Sequence, residues 1–127
     1  MDALIDTQSF IWFFENNSQL PSSVRLYMER SNNLVVSIAS FWEITIKASI
    51  GKLVIPENIA GLMDKALSKG FVILPIERNH LITLSSLELI HRDPFDRIII
   101  AQAISENMPL VSSDDIFQQY PVKYVWK

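Results

Sequence analysis

A chain of 127 residues, 49% of them hydrophobic and 20% charged, has enough apolar material for one packed core and too much to stay disordered. It has no cysteine, which excludes a disulfide framework and a thiolate zinc site. Its formal net charge of −3 argues against gripping nucleic acid by bulk charge alone, although cations held at an acidic site would offset that. Met1 to Asp6 lack the basic and long apolar regions of a signal peptide, and no apolar run approaches membrane-spanning length. A cytoplasmic protein with no membrane anchor is expected, as one domain over residues 1–127.

Ala3-Leu4-Ile5 reads as a first strand ending at Asp6, and Ser9 to Phe14 as a heavily buried helix. Pro21-Ser22-Ser23 opens a second helix. Leu34-Val35-Val36 is a β-branched strand. Ser40 is placed to cap the next helix, with Glu43 at the third position of a capping box and Gly51 as its stop. After the connector Leu53-Val54-Ile55-Pro56 come a helix from Asn58 to Lys69, a strand from Phe71 to Ile76 and a helix from about Asn79 to Leu87. Asp93 caps a helix from Pro94 to about Asn107. Leu110-Val111-Ser112 is a strand, Asp114 to Tyr120 a helical turn, and Val122 to Trp126 a last strand. Strands alternating with helices predict an α/β fold around a mainly parallel sheet.

Four acids fall at strand ends or helix starts: Asp6, Glu43, Asp96 and Asp114. In parallel sheets ligands bind at the carboxyl ends of strands, and right-handed crossovers bring such ends to one edge. Unpartnered, four converging carboxylates repel, and some take up protons. A hard divalent cation such as Mg2+ or Mn2+ removes that repulsion and suits phosphodiester hydrolysis. Each acid also has a plainer role. Asp96 can cap its helix, Glu43 can pair with Lys47 four residues on for about 0.3–0.5 kcal/mol, and Asp114 and Asp115 can serve a turn. Their joint placement favours a site.

Other chemistries find little support. His80 and His91 do not have the spacing of a metal-binding helix pair, and His91 is expected to order its loop. There is no glycine-rich phosphate loop and no nucleophile elbow. Trp12, Phe13, Phe14, Phe41 and Trp42 are expected in the core, with one of them available to line a groove for a partner peptide. A phosphatase using Asp6 as nucleophile would want a second acid two residues on, where Gln8 stands.

The chain resembles a PIN domain, and among these a VapC-type toxin of bacterial toxin–antitoxin pairs. The resemblance runs from Leu4 to Trp126. It rests on Leu4-Ile5-Asp6-Thr7, on Ser37-Ile38-Ala39-Ser40-Phe41-Trp42-Glu43-Ile44, on His91-Arg92-Asp93-Pro94-Phe95-Asp96-Arg97-Ile98-Ile99-Ile100-Ala101-Gln102-Ala103, and on Leu110-Val111-Ser112-Ser113-Asp114. It implies a three-layer α/β/α sandwich and a Mg2+- or Mn2+-dependent endoribonuclease. It matches the family's four acids to Asp6, Glu43, Asp96 and Asp114. Thr7 matches the hydroxyl residue after the first acid, and Ser112 stands where threonine is frequent. Asp93 can share the role of Asp96, and Asp115 that of Asp114. The resemblance further implies a homodimer and a cognate antitoxin, which lays an apolar segment in a groove and sends a basic side chain toward the acids. Arg92 and Arg97 are candidates for contact with RNA phosphate, or for ion pairs with Asp93 or Asp96. A non-catalytic PIN-like module that binds protein or RNA is the competing reading.

Overall fold

The computed structural model describes residues 2–126. Its strands are β1 (Asp2–Ile5), β2 (Asn33–Ser37), β3 (Phe71–Leu74), β4 (Leu110–Val111) and β5 (Tyr124–Val125). Every ladder between them is parallel, in the order β3-β2-β1-β4-β5. Parallel strands are covered on both faces, so they need apolar side chains throughout. β1 meets this with Ala3, Leu4 and Ile5, all wholly buried at the sheet centre.

Among the described residues six α-helices connect the strands: α1 (Thr7–Glu15), α2 (Ser22–Glu29), α3 (Ile38–Ser49), α4 (Ile59–Ser68), α5 (Arg78–Ser86) and α6 (Pro94–Ser105). A 3₁₀ helix spans Asp115–Gln119. The alternation along β1 sorts them into layers. Ala3 and Ile5 pack with Phe10 of α1, Val24 and Met28 of α2, and Leu62 and Ala66 of α4. Leu4 faces the other way, onto Ile99 and Ile100 of α6 and Phe117 of the 3₁₀ helix, with Leu84 of α5 behind. Helix α3 serves both cores, with Phe41 and Ile44 in the first and Ala39 in the second. The expected α/β sandwich is the observed fold.

Strand order places the site. From β1 the chain steps outward to β2 and β3, then crosses to β4 on the opposite side of β1. The order therefore reverses between β1 and β4, the crevice where such sheets bind ligands. Ile5 stands level with Val36 on one side and Val111 on the other. The residues that follow these strands emerge together at one edge.

Several boundaries differ from the sequence reading. Helix α3 starts three residues early, capped by Ser37, whose Oγ accepts from Ala39 N–H at 3.0 Å. Ser40 caps nothing; its hydroxyl bonds that of Thr7 at 2.8 Å inside the protein. Glu43 therefore sits in the second turn of α3, outside any capping box. The start is early because β2 pairs Ser37 with Leu74 and turns directly into helix. Strand β3 stops at Leu74, before Pro75, which has no N–H for a ladder. Helix α1 begins at Thr7 with Asp6 as its cap. Trp42 is not core: it is 58% exposed and meets the Phe95 ring edge-on at 5.1 Å. Trp12, Phe13 and Phe14 are only partly buried around the first core, whereas Phe10 and Phe41 lie fully inside.

Candidate active site

A cleft of about 500 Å3 opens at the carboxyl edge of the sheet, lined by Asp6, Glu43, Asp93, Asp96 and Asp114 together with Lys47 and Lys52. Each acid is placed by the start of an element or the wall of one. Asp6 ends β1 and caps α1, accepting from Ser9 N–H at 2.9 Å. It is buried, which raises its pKa; bonds from Ser9 and Ser112 oppose that rise, and the Glu43 charge adds to it. Ser112 is wholly buried just past β4 and also accepts from Asp114 N–H at 3.0 Å. Asp114 in turn caps the 3₁₀ helix through Ile116 N–H at 3.1 Å.

Glu43 reaches the cleft from α3 with its side chain only 8% exposed. Its Oε2 accepts from Lys47 Nζ at 2.8 Å, while its Oε1 is buried without a hydrogen-bond partner. The pair foreseen as a surface contact is thus a feature of the cleft wall. Glu43 chiefly, with Asp93 and Asp96, raises the Lys47 pKa, so the ammonium stays charged.

Helix α6 supplies the remaining acids. Asp93 caps it, accepting from Phe95 N–H at 2.9 Å and Asp96 N–H at 3.0 Å. Asp96 follows in the first turn. Burial above all, then the charges of Asp93, Asp6, Glu43 and Asp114, push its pKa to about 7. The repulsion expected of converging acids is concentrated on this residue. His91 Nε2 lies 3.3 Å from Asp96 Oδ2, and His91 Nδ1 lies 2.7 Å from the Tyr120 hydroxyl.

Other sequence candidates sit elsewhere. Arg97 donates to Glu88 O at 3.0 Å, Leu87 O at 3.5 Å and the Tyr120 hydroxyl at 3.2 Å. Arg92 and Arg97 line a shallow surface with Leu84, Leu89 and Pro94, outside the cleft. Neither forms the ion pair with Asp93 or Asp96 that the sequence allowed, and the Arg97 guanidinium is spent on carbonyls of the preceding loop. Asp115 is exposed in the 3₁₀ helix and does not line the cleft. Lys52 was missed in the sequence; its one signal is its place just after the Gly51 turn, which follows the helix that carries Glu43.

A second group, Glu77, His80 and Glu106, brings ligand atoms within 4.8 Å of one another. None of the three lines the cleft. His80 is wholly buried; its Nδ1 accepts from Glu77 N–H at 2.9 Å and its Nε2 meets Glu106 Oε2 at 2.8 Å. A metal on Nε2 would move the imidazole hydrogen to Nδ1, against the Glu77 N–H. This group joins the start of α5 to the end of α6.

The PIN domain family model matches residues 3–123. No curated protein matches the chain. Among solved structures it is similar to VapBC2 from Rickettsia felis, bound to a promoter DNA fragment, at TM-score 0.75 and 17% identity, covering 98% of both chains. It is similar to DNA-bound VapBC from Salmonella typhimurium at TM-score 0.73 and 17% identity, again over 98% of each. A toxin–antitoxin complex from Klebsiella pneumoniae matches at TM-score 0.68 and 18% identity, over 98% of this chain and 96% of that one. Among the described residues no helix is long and apolar enough to cross a membrane. With four acids gathered at the switch point of an all-parallel sheet and the family model spanning nearly the whole sequence, the chain belongs to the PIN domain family.

Proposed function

We propose that the protein is a metal-dependent endoribonuclease, the toxin of a cytoplasmic toxin–antitoxin pair, with Asp6, Glu43, Asp96 and Asp114 as its catalytic acids. The observation that carries this reading is the convergence of these acids in one cleft, where Glu43 Oε1 is buried with no hydrogen-bond partner. A buried carboxylate oxygen without a partner is costly, and a cation repays that cost. The donor set is all oxygen, which suits Mg2+ or Mn2+. Asp6, Glu43, Asp96 and Asp114 would hold the ion directly or through water, with Asp93 beside them. When bound, such an ion supplies Lewis acidity that activates water and offsets charge on the oxygens of an in-line phosphodiester displacement.

The chain's own residues do the rest. Ser112 holds the Asp114 backbone, and the Thr7–Ser40 hydroxyl pair braces α1 against α3 at the cleft. Lys47 and Lys52, which line the cleft with the acids, offer positive charge to an RNA phosphate. Arg92, on the neighbouring surface, is placed to extend that contact.

The partner reading is supported by the solved toxin–antitoxin complexes that share this fold. An apolar groove of about 110 Å3 runs between α1 and the 54–57 connector, lined by Phe10, Phe14, Val54, Ile55 and Leu62. Ile11 lines both this groove and the acidic cleft, so an apolar antitoxin segment lying in the groove leads into the acids. A homodimer has a face available on α3, where Trp42, Ile46 and Ile50 form an exposed stripe at helical spacing. Ile46→Asp is expected to convert a dimer to a monomer by light scattering; a variant still dimeric would place the interface elsewhere.

The deciding experiment incubates the purified chain with a mixed RNA pool, with and without Mg2+ or Mn2+, beside Asp6→Asn. Cleavage that needs the metal and disappears in a folded Asp6→Asn protein is the expected result. Full activity in the variant, or cleavage in EDTA, would overturn the assignment, and no cleavage under any condition would favour a binding module.

A further inference from the structure

We propose that His91 is a positioning residue for Asp96, with its tautomer set by Tyr120; the role rests on the metal-site reading above. The argument is a count of donors. The Tyr120 hydroxyl lies 3.2 Å from His91 N, 3.2 Å from Arg97 Nη1 and 2.7 Å from His91 Nδ1. The first two groups donate only, and a phenolic oxygen has two acceptor sites. Both are used. The tyrosine's own proton is left for the third bond, and it goes to His91 Nδ1. An imidazole that accepts at Nδ1 carries its hydrogen on Nε2. Nε2 lies 3.3 Å from Asp96 Oδ2, so it donates there. Asp96 Oδ1 is left as the oxygen available to the cleft that Asp96 lines.

The relay is well anchored. Tyr120 is 4% exposed, and Arg97 is tied to the carbonyls of Glu88 and Leu87. Arg97 therefore acts through tyrosine and histidine on the acid next to it in sequence, and the 3₁₀ segment is linked to the start of α6. Carboxylates that hold metal are oriented by such outer partners, whose loss costs about 10–100-fold in metal affinity.

Two readouts on the full chain test this. Mn2+ titration followed by electron paramagnetic resonance is expected to show Kd rising about 10–100-fold in His91→Ala. His91→Gln, whose amide N–H reaches the place of Nε2, should recover most of the loss. Nitrogen-15 NMR of the wild-type imidazoles should show His91 protonated at Nε2, and Tyr120→Phe should abolish that preference and weaken Mn2+ binding. A role in packing alone would move neither the tautomer nor the Gln rescue. An Nδ1-protonated His91 in the wild type overturns the proposal, even where His91→Ala fails to fold. Unchanged Mn2+ affinity in a folded His91→Ala overturns it while the metal site stands. A wild type that binds no Mn2+ overturns the metal reading, and this role with it.

Discussion

Asp96→Asn is expected to make the metal-free protein more stable above pH 7 while removing Mn2+ binding and RNA cleavage. Burial and four neighbouring acids raise the Asp96 pKa from 3.8 to about 7 in the folded state. The sign follows from proton linkage. Between these values the folded chain holds a proton that the unfolded chain has released, so this group's stabilisation is complete below about pH 4 and lost as pH rises through about 7. Above pH 7 the folded state carries an ionised Asp96 among like charges. Asparagine keeps an oxygen for the His91 N–H and has no charge to repel. Water reaches part of this carboxylate, so the gain is discounted to about 1 kcal/mol, or roughly 3–6 °C in Tm for a chain of this size. Calorimetry in EDTA at pH 8 and pH 4 measures it. A lower Tm at pH 8, or a gain of equal size at pH 4, would contradict the electrostatic origin. The same substitution removes one of the acids from the site, so stability and function should move in opposite directions, as is common where function maintains a strained cluster.

Much of this cluster was legible before any coordinates. Asp6 and Asp114 follow short apolar runs, and in a parallel sheet that position is the carboxyl edge. Asp93-Pro94 marks a helix start by a local rule that the structure obeys. The capping reading of Ser40 obeyed an equally good local rule and did not hold. There, pairing of Ser37 with Leu74 carried β2 to the helix, and a bond to Thr7, distant by 33 positions, claimed the Ser40 hydroxyl. Local motifs decide an element's start only where no tertiary partner competes for the same atoms.

The groups around the acids were harder to read for the same reason. Tyr120 lies 29 residues from His91 and 23 from Arg97, and nothing in their spacing announces a shared hydroxyl. Arg97 next to Asp96 suggests an ion pair or phosphate contact, yet the side chain turns back to the Leu87 and Glu88 carbonyls. Lys47 was visible as an i,i+4 partner of Glu43, but its place in the cleft depends on which face of α3 is buried. The hydrophobic residues of α3 point both ways: Phe41 and Ile44 inward, Trp42 and Ile46 outward. A helix apolar on two faces does not reveal from sequence which one meets the sheet.

In the proposed metal site the acids also set how affinity depends on pH. A cation entering the cleft below pH 7 has to displace the proton held by Asp96, so apparent Mn2+ affinity should climb about tenfold per pH unit and level off above 7. Between pH 5 and 7 that amounts to about 50-fold, equivalent to roughly 2.3 kcal/mol of extra stabilisation where the metal is saturating at both pH values. Isothermal titration calorimetry in buffers of different ionisation enthalpy should register about one proton released per Mn2+ near pH 6 and none above pH 8. The difference in Tm between Mn2+ and EDTA should widen over the same interval, which cancels the titration of every group the metal does not touch. Affinity that stays level from pH 5 to 7 would mean that the ion binds without Asp96, and the acid of α6 would then have to act from outside the metal's coordination.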